Sequence, residues 1–351
     1  MDPLAIDTVK LSDEGDALVI IDQTLLPNEV KYLSLTETPD ICEAIRLLRV
    51  RGAPAIGVAA AFGAYLAAYY APDAELENTF IAACDMLAAS RPTAVNLFWA
   101  LDRMHKAYAE VRAEAPDDIR RALRREAQAV MDEDIEISRS IGKYGLELLR
   151  PGMGILTHCN AGTLATAKYG TALAPVYAAL EAGIDGLRVY CDETRPLLQG
   201  ARLSAFEMVS AGVDTTLLCD NMASSLMQSG QVDIIFVGCD RVARNGDAAN
   251  KIGTSGVAIL AAHYGIPFYV CAPSSTIDPE IASGRDIPIE FRDGAEVTEL
   301  WYKKRMAPEG VRIYNPAFDV TDASLITGII TERGLVRAPY EEGLRSLGLL
   351  G

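Results

Sequence analysis

Histidine is scarce in this chain, three residues in 351. His105 and His263 fall in helix-like stretches, and no Cys-x-x-Cys pair occurs, which argues against a transition-metal site. Cations are also in deficit: 32 Lys and Arg stand against 48 Asp and Glu, a formal charge of -16. Such a surplus repels nucleic acid and anionic membrane, so an anionic ligand needs a locally basic pocket. No Gly-x-Gly-x-x-Gly turn follows a strand-like run, which weakens a dinucleotide-binding reading. The start, Met1-Asp2-Pro3-Leu4, lacks a basic segment followed by an apolar one. No apolar stretch reads as reaching membrane-spanning length without interruption. Internal repeats and low-complexity linkers are missing as well. The seven cysteines mostly fall inside or at the ends of apolar runs, unlike the tight framework of a small secreted domain. Reduced thiols and a cytoplasmic location are therefore expected.

Half of the residues are hydrophobic, enough for two domains or one elaborate α/β domain with an extension. Positions 17–23 read as a strand, and 30–35 pair with it after the Pro27-Asn28 turn, giving a small antiparallel sheet. Helical periodicity then covers 38–50, 55–70, 76–90, 94–115 and 116–149, where Pro151-Gly152 ends it. From there β-rich runs at 154–158, 187–191, 214–218, 232–238 and 267–271 alternate with segments long enough for helices. That rhythm predicts an α/β fold, a Rossmann-like doubly wound parallel sheet preceded by a smaller, mainly helical domain. The expected domains are 1–125 and 126–351.

The predicted strands end in Thr157-His158-Cys159, Cys191-Asp192-Glu193, Leu218-Cys219-Asp220, Gly238-Cys239-Asp240 and Cys271-Ala272-Pro273. Carboxyl ends of parallel strands face one crevice, so Cys159 and Asp240 are candidates for a single site. A thiolate removes a proton and a carboxylic acid returns one, the equipment for moving hydrogen between neighbouring carbons. Burial at a strand end would favour a protonated Asp240 but oppose a thiolate, while a helix starting at Gly162-Thr163 would favour one. Cys191, Cys219, Cys239 and Cys271 read as packing residues, and His158 as a hydrogen-bonded neighbour. In the first half, Arg51-Gly52-Ala53-Pro54 places a cation and a glycine ahead of a proline-initiated helix, an anion-binding arrangement. Arg91-Pro92-Thr93-Ala94 repeats the theme. Around Asp192-Glu193-Thr194-Arg195-Pro196, Arg195 reads as part of an ion-pair network and Gln199 as part of a hydroxyl-binding wall. The loop from Gly238 to Thr254 is too polar and too rich in glycine to be a plain connection.

These segments resemble the methylthioribose-1-phosphate isomerases of methionine salvage. The match runs from Asp22-Gln23-Thr24-Leu25-Leu26-Pro27 through Arg51-Gly52-Ala53-Pro54, Ser90-Arg91-Pro92-Thr93-Ala94-Val95-Asn96, Thr157-His158-Cys159-Asn160-Ala161-Gly162 and Asp220-Asn221-Met222-Ala223 to Asn250-Lys251-Ile252-Gly253-Thr254. The resemblance implies Cys159 and Asp240 as the catalytic pair, and Arg51, Gly52, Ala53, Arg91, Gln199, Asn250 and Lys251 as substrate-binding residues. It further implies a sugar-phosphate substrate, no cofactor, no metal and a homodimer. Many relatives carry alanine where this chain has Cys239. The wider superfamily includes ribose-1,5-bisphosphate isomerases and non-catalytic regulatory subunits, which fold alone does not separate. A cysteine-nucleophile hydrolase is the rival that a Cys beside a His suggests on general grounds.

Overall fold

Leucine, isoleucine and valine at alternating positions near the start build the first sheet. β1 (Val9–Leu11), β2 (Leu18–Ile21) and β3 (Tyr32–Leu35) form an antiparallel sheet with β2 central, Val9 facing Ile20 and Ile20 facing Leu33. The computed structural model describes Leu4 and residues 6–92 and 95–350. Helices α1 (Thr38–Arg46), α2 (Ala53–Tyr70), α3 (Leu76–Ser90) and α4 (Val95–Val111) follow, then α5 (Pro116–Leu146). The expected helix over 38–50 stops at Arg46. Leu48 takes the left-handed conformation (φ 62°), and the N–H of Arg49 folds back to the Ala44 carbonyl at 2.8 Å.

By length and composition α2 does qualify as a membrane span, which corrects the sequence reading. It is a core helix: Ala55 to Ala68 are all buried, among Phe80, Leu97 and Met104. A helix apolar all round needs partners all round, and small residues bring them close. A side chain at Gly57 would put its Cβ 2.9 Å from the Asn96 carbonyl oxygen of α4.

Packing divides the chain inside α5. One unit holds Leu4–Ser138 with Gly162–Gly170; the other holds Arg139–Ala161 and the chain from Thr171 onward. In the second unit, β4 (Gly154–Thr157), α6 (Ala174–Glu181), β5 (Arg188–Asp192), α7 (Ala205–Ser210), β6 (Asp214–Leu218), α8 (Ala223–Gln228) and β7 (Ile234–Val237) alternate as the sequence predicts. A hairpin of β8 (Arg241–Ala243) and β9 (Ala248–Lys251) precedes α9 (Thr254–Tyr264) and β10 (Phe268–Cys271). After β11 (Ile277–Asp278) a long connection with a 3-10 turn at Gly284–Asp286 and the short α10 (Ala295–Thr298) leads to β12 (Phe318–Thr321), β13 (Gly328–Thr331), β14 (Gly334–Val336) and α11 (Tyr340–Ser346). The main sheet has the order β14-β13-β10-β7-β4-β5-β6, parallel except for β14. A second sheet runs β11-β8-β9-β12. Leu156, Val237, Phe268 and Ile329 fill the core of this unit.

No α-helix opens at Gly162-Thr163, contrary to expectation. Thr163–Ala165 makes only a three-residue 3-10 turn, and α6 begins at Ala174 with proline in its first turn. The carbonyls and N–H groups a helix would use have other partners within the first unit. Thr8 donates to the Thr163 carbonyl at 2.7 Å, Gln23 Nε2 to the Leu164 carbonyl at 2.8 Å, and the Ala167 N–H to Asp134 at 2.6 Å. The dipole once invoked to favour a Cys159 thiolate is therefore missing.

Candidate active site

β4 pairs with β5 on one flank and with β7 on the other, and the chain runs outward through β5 and β6 before it returns to β7. Such a reversal of strand order opens a crevice beyond the carboxyl ends of the two adjacent strands. Cys159 follows β4 and Asp240 follows β7. The fold thus brings the two candidate groups to neighbouring strand ends.

Cys159 is buried, and its backbone is left-handed, with φ 70°. Its N–H donates to Thr194 Oγ1 at 2.8 Å and its carbonyl accepts from Ser204 Oγ at 2.7 Å. Thr194 is itself left-handed, φ 62°, as is Leu198 at 57°. For a residue with a side chain this conformation costs roughly 1–2 kcal/mol, so strain is concentrated at one turn.

His158 is sealed between two acceptors. Nδ1 lies 3.0 Å from Asp192 Oδ2 and Nε2 lies 2.9 Å from the Ile252 carbonyl. The Ile252 carbonyl only accepts, so Nε2 donates to it, and the proton between Nδ1 and Asp192 belongs to the pair. Burial pulls the pKa of His158 down, but the bond to Asp192, its charge and the Ile252 carbonyl outweigh this and hold it above the usual 6.5. Burial raises the Asp192 carboxyl, against the pull of His158. Glycine at 253 makes room for the ring, since a Cβ there would lie 2.7 Å from His158 Cε1.

Asp240 departs from expectation: it is exposed. The preceding residue explains why. Cys239 takes the inward position, its sulfur 3.2 Å from Thr276 Oγ1 and its pKa pushed up to about 12 by burial. The Asp240 N–H donates to the Ala249 carbonyl at 2.9 Å. One strand therefore ties both rims together, because Ala249 in β9 holds Asp240 and Ile252 just past β9 holds His158.

Asn250 is buried and donates to Thr254 Oγ1 at 3.0 Å, while Lys251 Nζ sits 4.1 Å from the centre of the Phe318 ring. The start of α9 is already capped, since Asp319 accepts from the N–H of Gly253 at 2.8 Å and of Ser255 at 3.1 Å. Gln199 is buried, and among the described residues its Oε1 has no partner. Among the described residues Arg195 has no ion pair, against the expected network: its guanidinium bonds the carbonyls of Pro196 at 3.2 Å and Val297 at 2.7 Å. Asp220 accepts the backbone N–H of Arg195 instead, which leaves the guanidinium to face the loop.

Arg51, Gly52, Ala53 and Arg91 belong to the first unit. Ala53 opens α2 with proline beside it, as predicted, and no side chain caps that end. Gly52 has φ 91°, and a Cβ on it would overlap the Ala165 backbone, 2.3 Å from its oxygen. Arg91 follows α3, and Thr93 and Ala94 of its motif lie outside the described residues.

Ligand-capable atoms of His158, Asp192 and Asp220 lie within 4.8 Å of one another. A metal fits poorly there. Both histidine nitrogens already have hydrogen-bond partners, and both Asp220 oxygens accept backbone N–H groups, from Thr194 and Arg195 at 2.7 Å each. Thr194, Ser204 and Asp220 were not singled out from the sequence. Asp220 and Thr194 lie in quoted motifs, but nothing in their spacing marks them as partners of Cys159.

Comparison with known proteins adds the chemistry. The profile of the Initiation factor 2 subunit family matches residues 49–338. A methylthioribose-1-phosphate isomerase of Symbiobacterium thermophilum is 63% identical over 98% of this chain and 97% of its own length. A 5-deoxyribose 1-phosphate isomerase of Petrotoga mobilis is 56% identical over 97% of this chain and 98% of its own. Among solved structures, 5-methylthioribose 1-phosphate isomerase of Pyrococcus horikoshii OT3 superposes with a TM-score of 0.94 at 45% identity, covering 99% of this chain and 97% of that one.

Proposed function

The chain belongs to the initiation factor 2 subunit family, and from this premise we propose that it is an aldose-ketose isomerase converting 5-methylthioribose 1-phosphate into 5-methylthioribulose 1-phosphate. The observation that carries this reading is the placement of Cys159 and Asp240 beyond the adjacent ends of β4 and β7. Phosphate on the anomeric oxygen blocks the free-aldehyde route, so the ring opens with the phosphate in place. Asp240 gives a proton to the ring oxygen as its bond to C1 breaks. Cys159 carries the hydrogen from C2 to C1, and the C2 hydroxyl returns a proton to Asp240 as the ketone forms. Arg51, Gly52, Ala53, Arg91, Gln199, Asn250 and Lys251 are the proposed substrate contacts. The Gln199 Oε1 is suited to accept from a sugar hydroxyl.

A 5-deoxyribose 1-phosphate substrate is the second reading, favoured by the name of the Petrotoga relative. We place the enzyme in a cytoplasm as a pair of identical chains. Offering 5-methylthioribose 1-phosphate, 5-deoxyribose 1-phosphate and ribose 1,5-bisphosphate in deuterated water, with NMR detection, tests the assignment. Ketose from the first at the highest kcat/KM is expected. No ketose from any would leave a non-catalytic regulatory protein.

A further inference from the structure

Two hydroxyl groups grip Cys159 from opposite sides. Thr194 Oγ1 accepts the Cys159 N–H at 2.8 Å and donates to the Asp192 carbonyl at 3.1 Å. Ser204 Oγ donates to the Cys159 carbonyl at 2.7 Å and accepts from Asn160 Nδ2 at 3.2 Å. Carboxylates hold the Thr194 backbone and the Asn160 amide that meets Ser204. Asp220 accepts from the Thr194 N–H at 2.7 Å, and buried Glu207 accepts from Asn160 Nδ2 at 2.9 Å and from the Tyr177 hydroxyl at 3.2 Å. A β-branched residue in left-handed backbone, as Thr194 is, persists only where its surroundings over-determine it. Here it adjoins a cysteine in the same conformation.

We propose that Thr194 and Ser204 are positioning residues for the isomerisation, holding the Cys159 backbone left-handed and so fixing the direction of its thiol. With the N–H and C=O of Cys159 pinned, the direction of its Cα–Cβ bond is set, and only rotation about that bond is left to the sulfur. Each hydroxyl acts as both donor and acceptor, which valine or alanine cannot do. The proposal rests on the reading that Cys159 moves the hydrogen between C2 and C1. Misplacing a reacting group by about 1 Å costs on the order of 100-fold in rate.

Steady-state kinetics of Thr194→Val, Thr194→Ser and Ser204→Ala, beside Cys159→Ser, test it. We expect Thr194→Val and Ser204→Ala to lose on the order of 100-fold in kcat with KM within about threefold. Thr194→Ser, which keeps the oxygen, recovers most of the loss. Iodoacetamide labelling of Cys159, followed on its peptide by mass spectrometry, changes rate in Thr194→Val and not in Thr194→Ser. A wild-type kcat in Thr194→Val or Ser204→Ala, or an equal loss in Thr194→Ser, overturns the proposal. Should Thr194→Val fail to fold, Ser204→Ala and Thr194→Ser decide by the same criteria. Full turnover by Cys159→Ser would instead remove the role given to the thiol, and the labelling rates would still report whether the hydroxyls orient it.

Discussion

Cys159 and Asp240 follow neighbouring strands, yet their surroundings differ in kind. The thiol sits on a buried, left-handed residue whose N–H and C=O are both bonded to side chains. The carboxyl sits on an exposed residue at the mouth of the β8–β9 hairpin, with one backbone bond to Ala249 described for its main chain. One group is aimed by the fold before any substrate arrives. The other lies at the surface.

The largest effect that sharpens this contrast is on turnover. Cys159→Ala and Asp240→Asn are both expected to lower kcat by about 10²–10⁴-fold, while only the first touches the packed interior. Urea unfolding should therefore leave Asp240→Asn within about 0.5 kcal/mol of the parent. A large loss of stability in Asp240→Asn would break the comparison.

Next in size is the support beneath the thiol. His158→Gln leaves Asp192 buried without its cation and is expected to cost about 3–5 kcal/mol. The sign of the pH dependence follows from the raised pKa of His158. Its stabilising contribution is complete below the usual 6.5 and is lost as pH rises through the higher folded value. Stability of the parent should thus fall on the alkaline side of 6.5, and His158→Gln should lack that slope. The pair titrates as a unit, so the measured midpoint belongs to both residues.

The smallest effect isolates backbone strain at a single position. Cys159→Gly and Cys159→Ala both remove the sulfur, but only glycine accepts φ 70° without penalty. Glycine is expected to be the more stable of the two by about 1 kcal/mol, as read from denaturant midpoints. Alanine equal to or better than glycine would show that the strain attributed to this turn is relieved elsewhere.

Much of the fold could be read along the chain because its signals are local. Ile155 and Leu156 in β4, or Ile234 to Val237 in β7, are short apolar runs broken by polar turns, and they became adjacent strands. Proline at 54 marked the start of α2. The failures share one cause, contacts from far along the sequence. Gly162-Thr163 has the composition of a helix start but meets Thr8 and Gln23 instead. The apolar run before Asp240 suggests burial, whereas the inward place belongs to Cys239, packed by Thr276 from 37 positions along the chain. Thr194 and Ser204 lie 35 and 45 positions from Cys159, and ordinary hydroxyl residues carry no mark of such duty.

The missing side chain at Gly57 has a consequence for the first unit. It lets α2 lie against the opening turn of α4, with the Asn96 carbonyl where a methyl group would otherwise stand. Arg51 precedes α2, so a single added methyl at Gly57 would act like a shim under a caliper jaw, forcing apart the two rods at the end of α2 that follows this cation.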